Sequence, residues 1–527
     1  MSASRLCAVL LVVGLVVVLG ASASRAPAAT PRDTLVLGTT DKITELSPEN
    51  SYDYWTWHVF AQVSEALVQF KPGTTDIVGQ LAESWQVSDD GLTYTFKLRP
   101  GVTFTDGTPF DAAAVKFSLE RALKLDGPEG GVGLIKNIRP PVEVVDATTV
   151  RIRLRERDAT FLARMTHGVA PAHVFSPRST PATEFAKGRF AGTGPYRLAQ
   201  YVPDQRTVYE AYRGYWGPAP KSRRVITVFL ADASALAAAV ESGQVDVGFR
   251  TFNPEDLRRL QQSPRVTVIR GPSLSVRYIV FNVTVKPFDD VRVRRAVALA
   301  LDRDRIVRNV FGGLNTALYS MVPPGLWSHV EAFPRRNLEQ ARALLREAGY
   351  SSGRKLALTL WLTPVRYGNT EPDAGAVVKR AIEETGLATV EIKTQEWATY
   401  TKSMAAGQFG MFFLGWFPDF VDPDNFLAPW LIESPESLGT FLNKATSARD
   451  KQYAQQFRQL LTEAKQTTDR ARRTQLYQQA QRLLAESAIL VPMWTNNLQA
   501  FAVAQKNVTG IQLSPDMQFR TWTIGKQ

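Results

Sequence analysis

Residues 79–123 read GQLAESWQVSDDGLTYTFKLRPGVTFTDGTPFDAAAVKFSLERAL. Asp90-Gly91 is a hairpin-turn dipeptide, because glycine adopts the positive φ that tight turns demand. Beyond it Leu92, Tyr94, Phe96 and Leu98 alternate with Thr93, Thr95, Lys97 and Arg99. Successive side chains of a strand point to opposite faces, so the pattern predicts antiparallel sheet with one apolar and one polar face. Pro100-Gly101 and Asp106-Gly107 turn the chain twice more. Asp111 then caps a predicted helix whose Val115, Leu119 and Ala122 share a face.

Outward from this unit, strands and helices stay mixed. Asp33 to Gly38 reads as a strand, and Ala235 to Ser242 as a helix closed by Gly243 with Val245-Asp246-Val247 as the strand that follows. That is one αβ step of a layered α/β lobe. Val293, Ala296, Val297, Ala300 and Leu301 fall at i, i+3, i+4, i+7 and i+8, the apolar stripe of an amphipathic helix. Asn337 and Gln340 form a variant capping box before Ala341, Leu344, Leu345 and Ala348, and Gly349 ends that helix. Two helices are predicted between Asp450 and Glu486, a buried strand at Ile489-Leu490-Val491, and a strand-rich close from Val503 to Ile524.

At the other end, Arg5 precedes an uncharged apolar run from Leu6 to Leu19, and Ala21-Ser22-Ala23 follows it. This is the layout of a secretory signal cleaved near Ala23, which predicts an exported, periplasmic protein. The run is shorter than the ~20 apolar residues of a spanning helix. The single cysteine, Cys7, lies inside the leader, so a lipid anchor, a disulfide framework and a thiolate metal site all lack their residue in the processed chain. Single cores stop growing near roughly 250–300 residues, so at least two lobes are expected in a chain of 527. The formal charge of +12 is dispersed among acids, as where Arg292-Val293-Arg294-Arg295 follows Asp289-Asp290. A soluble basic surface is therefore expected, with no nucleic-acid partner.

The 79–123 stretch resembles the hallmark of the bacterial extracellular solute-binding proteins of family 5, which serve oligopeptide, dipeptide and nickel ABC importers. The resemblance continues through Gly192-Thr193-Gly194-Pro195-Tyr196, Arg213-Gly214-Tyr215-Trp216, Glu241-Ser242-Gly243-Gln244-Val245-Asp246 and PFDDVRVRRAVALALDRDRIV at 287–307, and ends near Trp494. It implies an α/β chain with the two-lobed periplasmic binding protein fold (type II, cluster C) and an extra domain inserted in the first lobe. The implied division is a signal peptide at 1–23, a tether at 24–32, lobe I from 33–73, 192–281 and 497–527, an inserted subdomain at 74–191, and lobe II at 282–496. The implied function is capture of a short peptide or other small solute by lobe closure. The implied partners are an ABC permease and its ATPase subunits, the receptor itself acting as a monomer without cofactor or metal.

The resemblance also points to site residues. TQEWATYTKSMAAGQFGMFFLGWFPDFVDPDNF, residues 394–426, is similar to the family segment in which a Gly-Trp pair precedes an Asp that binds a peptide's free amino group. Here these are Gly415, Trp416 and Asp419. A carboxylate in a water-poor cleft attracts an ammonium strongly, and glycine admits close backbone approach. The alternative for Asp419, taken with Asp422 and Asp424, is a solvated loop or an interlobe salt bridge. Trp397 and Trp416 match cleft-lining positions, where flat rings bury apolar area without demanding one particular partner. Tyr52, Asp53 and Tyr54 align with the first-lobe segment that faces an extended peptide; a surface loop is the other reading. Arg366 lies within one position of an arginine that holds the peptide carboxylate in dipeptide binders. Phe413 stands where some oligopeptide binders carry a basic residue, so no fixed peptide length is implied.

Two rivals follow. Relatives of this fold also carry oligosaccharides, opines and chelated nickel, although neither His nor Cys lies near residues 415–426. A secreted hydrolase would need a nucleophile with a base or facing carboxylates. His58, His167, His173 and His329 are scattered and belong to no HExxH or Gly-x-Ser-x-Gly pattern, so no enzyme and no catalytic residue is expected.

Overall fold

The computed structural model describes residues 31–527 apart from 365, 434–437 and 517. The expected signal peptide and residues 24–30 of the tether lie outside the described residues.

Two sheets organise the chain. The first has seven strands in the spatial order Val266–Arg270, Phe501–Gln505, Val247–Phe249, Thr34–Thr39, Arg224–Phe229, Arg206–Ala211, Tyr196–Val202. Its central strand, Thr34–Thr39, runs parallel to both neighbours and is buried throughout, as a strand covered on both faces should be. The second sheet has six strands in the order Thr316–Ala317, Leu490–Thr495, Val276–Phe281, Met411–Trp416, Leu356–Leu362, Ala388–Thr394. Leu356–Leu362 is parallel to both of its neighbours. Parallel neighbours need crossover connections, and helices Ala233–Ser242, Glu371–Glu383 and Trp397–Ala405 supply them.

The chain crosses between the sheets at residues 271–275 and again at 496–500. The two crossings lie side by side. Asn496 N–H donates to Ser275 O at 2.8 Å, Ser273 Oγ donates to Asn496 O at 3.1 Å, and Gly271 N–H donates to Ala500 O at 2.7 Å.

The 79–123 unit forms as its pattern predicts. Ala82–Val87 and Thr93–Leu98 pair across a turn with Gly91 at φ 69°, and Tyr94, Phe96 and Leu98 are buried. Asp111 caps helix Ala112–Leu125 by accepting from Ala114 N–H at 2.9 Å. These strands join Thr149–Leu154 and Ile138–Asp146 in a four-stranded antiparallel sheet, which in sequence falls between the first two strands of the seven-stranded sheet.

Three expectations shift. Strand Val276–Phe281, assigned from sequence to the first lobe, pairs into the second sheet, so the crossing comes before it rather than at 281. The strand expected at 245–247 begins at Val247, because Asp246 spends its carboxylate on Val36 N–H at 2.7 Å and on Lys526. Of the strand-rich close expected from Val503, the end of strand Phe501–Gln505 forms, and beyond it the described residues carry only the short pairing of Val508–Thr509 with Gly525–Lys526. Between them side chains hold the backbone, as where Thr521 Oγ1 donates to Gln62 Oε1 at 2.5 Å.

The dispersed basic residues have a structural use. Arg294 is fully buried and donates to Asp450, to Phe288 O and to Ser487 O. Arg121 grips Glu49 through two 2.9 Å bonds, Arg473 pairs with Asp422, and Arg277 pairs with Glu371, all of them buried. The planar guanidinium fork suits such carboxylate pairing.

Candidate functional site

The carboxyl ends of the parallel strands in both sheets converge on one cavity of about 1180 Å³. From the first sheet, Thr34–Thr39 leads into Thr40, Asp41 and Lys42, Arg224–Phe229 into Ala231 and Asp232, and Val247–Phe249 into Arg250 and Thr251. From the second, Leu356–Leu362 leads into Arg366 and Tyr367, Ala388–Thr394 into Trp397, and Met411–Trp416 into Phe417 and Asp419. Ligand sites of open α/β sheets lie beyond the carboxyl ends of the strands, and here two such ends face each other.

All eight residues singled out from sequence line this cavity: Tyr52, Asp53, Tyr54, Arg366, Trp397, Gly415, Trp416 and Asp419. Their local roles differ. Asp419 is partly exposed, its N–H donates to Asn425 Oδ1 at 2.9 Å, and its Oδ2 accepts from Asn425 Nδ2 at 3.3 Å. From across the cleft, Tyr52 donates its hydroxyl to Asp419 Oδ1 at 2.6 Å. Trp416 donates Nε1–H to the same Asn425 Oδ1 at 3.0 Å and meets Trp430 edge-on. Asn425 therefore fixes both the ring and the carboxylate.

The neighbouring acids part company with Asp419. Asp422 is buried against Arg473, and Asp424 is buried with Arg164 at 3.6 Å and Tyr477 hydroxyl at 3.2 Å. Burial pushes the Asp424 carboxyl up to about 7. Its unfolded value is about 4. Below pH ~4 the group is neutral in both states, so its stabilising contribution is fully present; between pH ~4 and about 7 only the folded chain holds the proton, and the contribution falls until it is lost once pH has risen through about 7. Asp424→Asn should therefore gain stability relative to the native chain between pH 5 and pH 8, by on the order of 2–4 kcal/mol. Urea unfolding midpoints at the two pH values measure this.

Asp53 caps helix Tyr54–Val63, accepting from Thr56 N–H at 2.8 Å and Thr44 Oγ1 at 2.5 Å, which accounts for its identity without a ligand. Trp397 begins its helix, stands edge-on to Tyr367 and lies under the exposed Arg366 guanidinium at 5.1 Å. Phe413 is core, edge-on to Trp494. Gly415 has a packing reason as well as a cleft position. A Cβ there would collide with Arg277 Nη1 and lie 2.8 Å from Tyr367 Cε1. Because Glu371 pins Arg277, Gly415→Ala is expected to destabilise the fold by about 1–3 kcal/mol, read from denaturant unfolding.

Sequence reasoning missed Arg250, Tyr367, Phe417 and Asn425. Arg250 directly follows strand Val247–Phe249, three residues past the strand predicted at 245–247, and the rule for strand carboxyl ends points to this region. Asn425 carried no signal, because its role depends on a turn that brings it back to Asp419.

A deep cleft between two α/β lobes, walled by aromatic rings and carrying a positioned carboxylate, defines a solute-binding protein. The chain belongs to the bacterial extracellular solute-binding proteins, family 5, whose model matches residues 76–437. It is 35% identical to heme-binding protein A of Haemophilus influenzae over 482 residues, 86% of this chain and 85% of that protein. It is 31% identical to the dipeptide-binding protein of Escherichia coli over 480 residues, 85% and 86% of the two chains. Among solved structures, the dipeptide-binding protein of Pseudoalteromonas in complex with Met-Leu matches at TM-score 0.79 and 25% identity, covering 94% of this chain and 100% of that one. The ABC transporter-associated periplasmic binding protein DppA of Helicobacter pylori, in complex with the peptide STSA, matches at TM-score 0.78 and 25% identity, covering 94% and 98%. The fold is the two-lobed periplasmic binding protein fold expected from sequence, and these relatives are substrate-binding proteins rather than enzymes. No helix among the described residues is long and apolar enough to cross a membrane.

Proposed function

We propose that the chain is the periplasmic capture subunit of an ABC importer and that its solute is a short peptide, bound through its free amino group. The observation that carries this reading is Asp419: a carboxylate at a strand end, oriented by Asn425 and reached from the opposite lobe by Tyr52. An ammonium there gains a charge-assisted hydrogen bond in a space from which closure removes water. The rings of Tyr54, Trp397 and Trp416 supply apolar walls that accept many side chains. Closure about the 271–275 and 496–500 crossings buries the solute and presents a joined surface to the permease. Native mass spectrometry of protein purified without denaturation tests the reading. Co-purifying masses that fragment as di- to tetrapeptides support it; a sugar or a porphyrin in their place overturns the peptide assignment and leaves the receptor class standing.

A further inference from the structure

Among the described residues four cations line the cleft: Lys42, Arg164, Arg250 and Arg366. Lys42 and Arg366 are exposed, and Arg164 lies between Asp158 at 3.7 Å and Asp424 at 3.6 Å. Arg250 differs from all three. It is 5% exposed, its guanidinium lies 4.0 Å from the Tyr54 ring and 5.2 Å from the Phe417 ring of the other lobe, and Asp41 holds one edge, Nη2 donating to Oδ1 at 2.9 Å. Nη1 has no hydrogen-bond partner among the described residues. A buried donor without an acceptor is costly, and a guanidinium clasped by rings is fixed in orientation.

The backbone agrees. Arg250 and Thr251 have φ of 51° and 61°, two successive non-glycine residues in the left-handed region. Such strain persists only where surrounding structure imposes it, and it gathers at ligand clamps. Both residues sit at the carboxyl end of Val247–Phe249, facing the strand end that carries Asp419.

We propose that Arg250 receives a carboxylate of the solute, so that the two charged ends of a peptide are held by opposite lobes, the amino end by Asp419 and the carboxylate by Arg250. This assignment, which rests on the peptide reading above, explains why the orphaned donor lies in the first lobe while the acid lies in the second. A dipolar solute then ties the lobes together, whereas a solute with one charged end engages only one of them. Asp41 keeps the guanidinium plane fixed and limits the net charge of the pair, which suits a carboxylate rather than a polyanion.

The test is calorimetry of the mature protein with trialanine and with trialanine amide. The native chain should bind the acid about 10- to 100-fold more tightly than the amide, the scale of a hydrogen bond to a charged group. In Arg250→Gln that preference should shrink to about 3-fold or less. Arg250→Lys, which keeps the charge and loses the fork, should fall between them and covers the case in which the glutamine variant folds poorly. Equal binding of acid and amide by the native chain overturns the inference while the amino-anchor reading stands. Loss of the preference in Arg366→Gln with its retention in Arg250→Gln overturns it too. No binding of trialanine itself overturns the peptide reading and this inference with it.

Discussion

Asp419→Ala should weaken peptide binding by about 3–5 kcal/mol, the scale for stripping one partner from an ion pair that closure has desolvated. The loss is expected to be large because the acids of the same segment and the helix-capping Asp53 are committed elsewhere. Asp422 is bound to Arg473, Asp424 is buried behind it with Arg164 and Tyr477, and Asp53 is committed to its helix cap. Asp419→Asn isolates charge from shape, since an amide can still bond Asn425; it should lose nearly as much affinity as the alanine variant while keeping the native unfolding midpoint. Calorimetry with a tripeptide measures both. A loss under about 0.5 kcal/mol, the scale of an ordinary surface substitution, would show that the carboxylate does not carry recognition.

Arg294→Met should destabilise the fold by about 3–5 kcal/mol, because it leaves Asp450 charged, buried and without its guanidinium. The pair also joins distant segments. Arg294 lies in helix Val291–Ala300, Asp450 in helix Ala448–Gln466, and Ser487, whose carbonyl accepts from Arg294 Nε, ends helix Arg470–Ser487. Removing both charges in Arg294→Met with Asp450→Leu should recover much of the loss, since a well-packed apolar pair often replaces a buried ion pair at little cost. Urea unfolding of the three proteins decides it; a double variant no better than the single would place the stabilisation in the carbonyl bonds instead.

The regular elements were legible because their signals are local. The alternation from Leu92 to Leu98, the caps at Asp111 and Asn337 and the stripe from Val293 each need only neighbouring residues to be read, and each forms. Sheet membership is a long-range property, and this is why Val276–Phe281 went to the wrong lobe: its partners Met411–Trp416 and Leu490–Thr495 lie far along the chain. The site divides the same way. Resemblance brought eight residues to one cavity, but it could not tell that Gly415 is also required by Arg277, that Asp53 is a cap, or that three acids of one short segment would meet three different environments. Arg250 stayed hidden because nothing in Phe249-Arg250-Thr251 announces two positive φ angles or a ring from the opposite lobe.

The central claim, that a cleft carboxylate awaits the amino terminus of a peptide, is tested most directly by calorimetry of the native protein with trialanine and its N-acetyl form. Acetylation removes the ammonium and leaves the rest of the solute in place. Binding of the free peptide with loss of about 100-fold or more on acetylation is the predicted result; equal affinity for the two forms would contradict it.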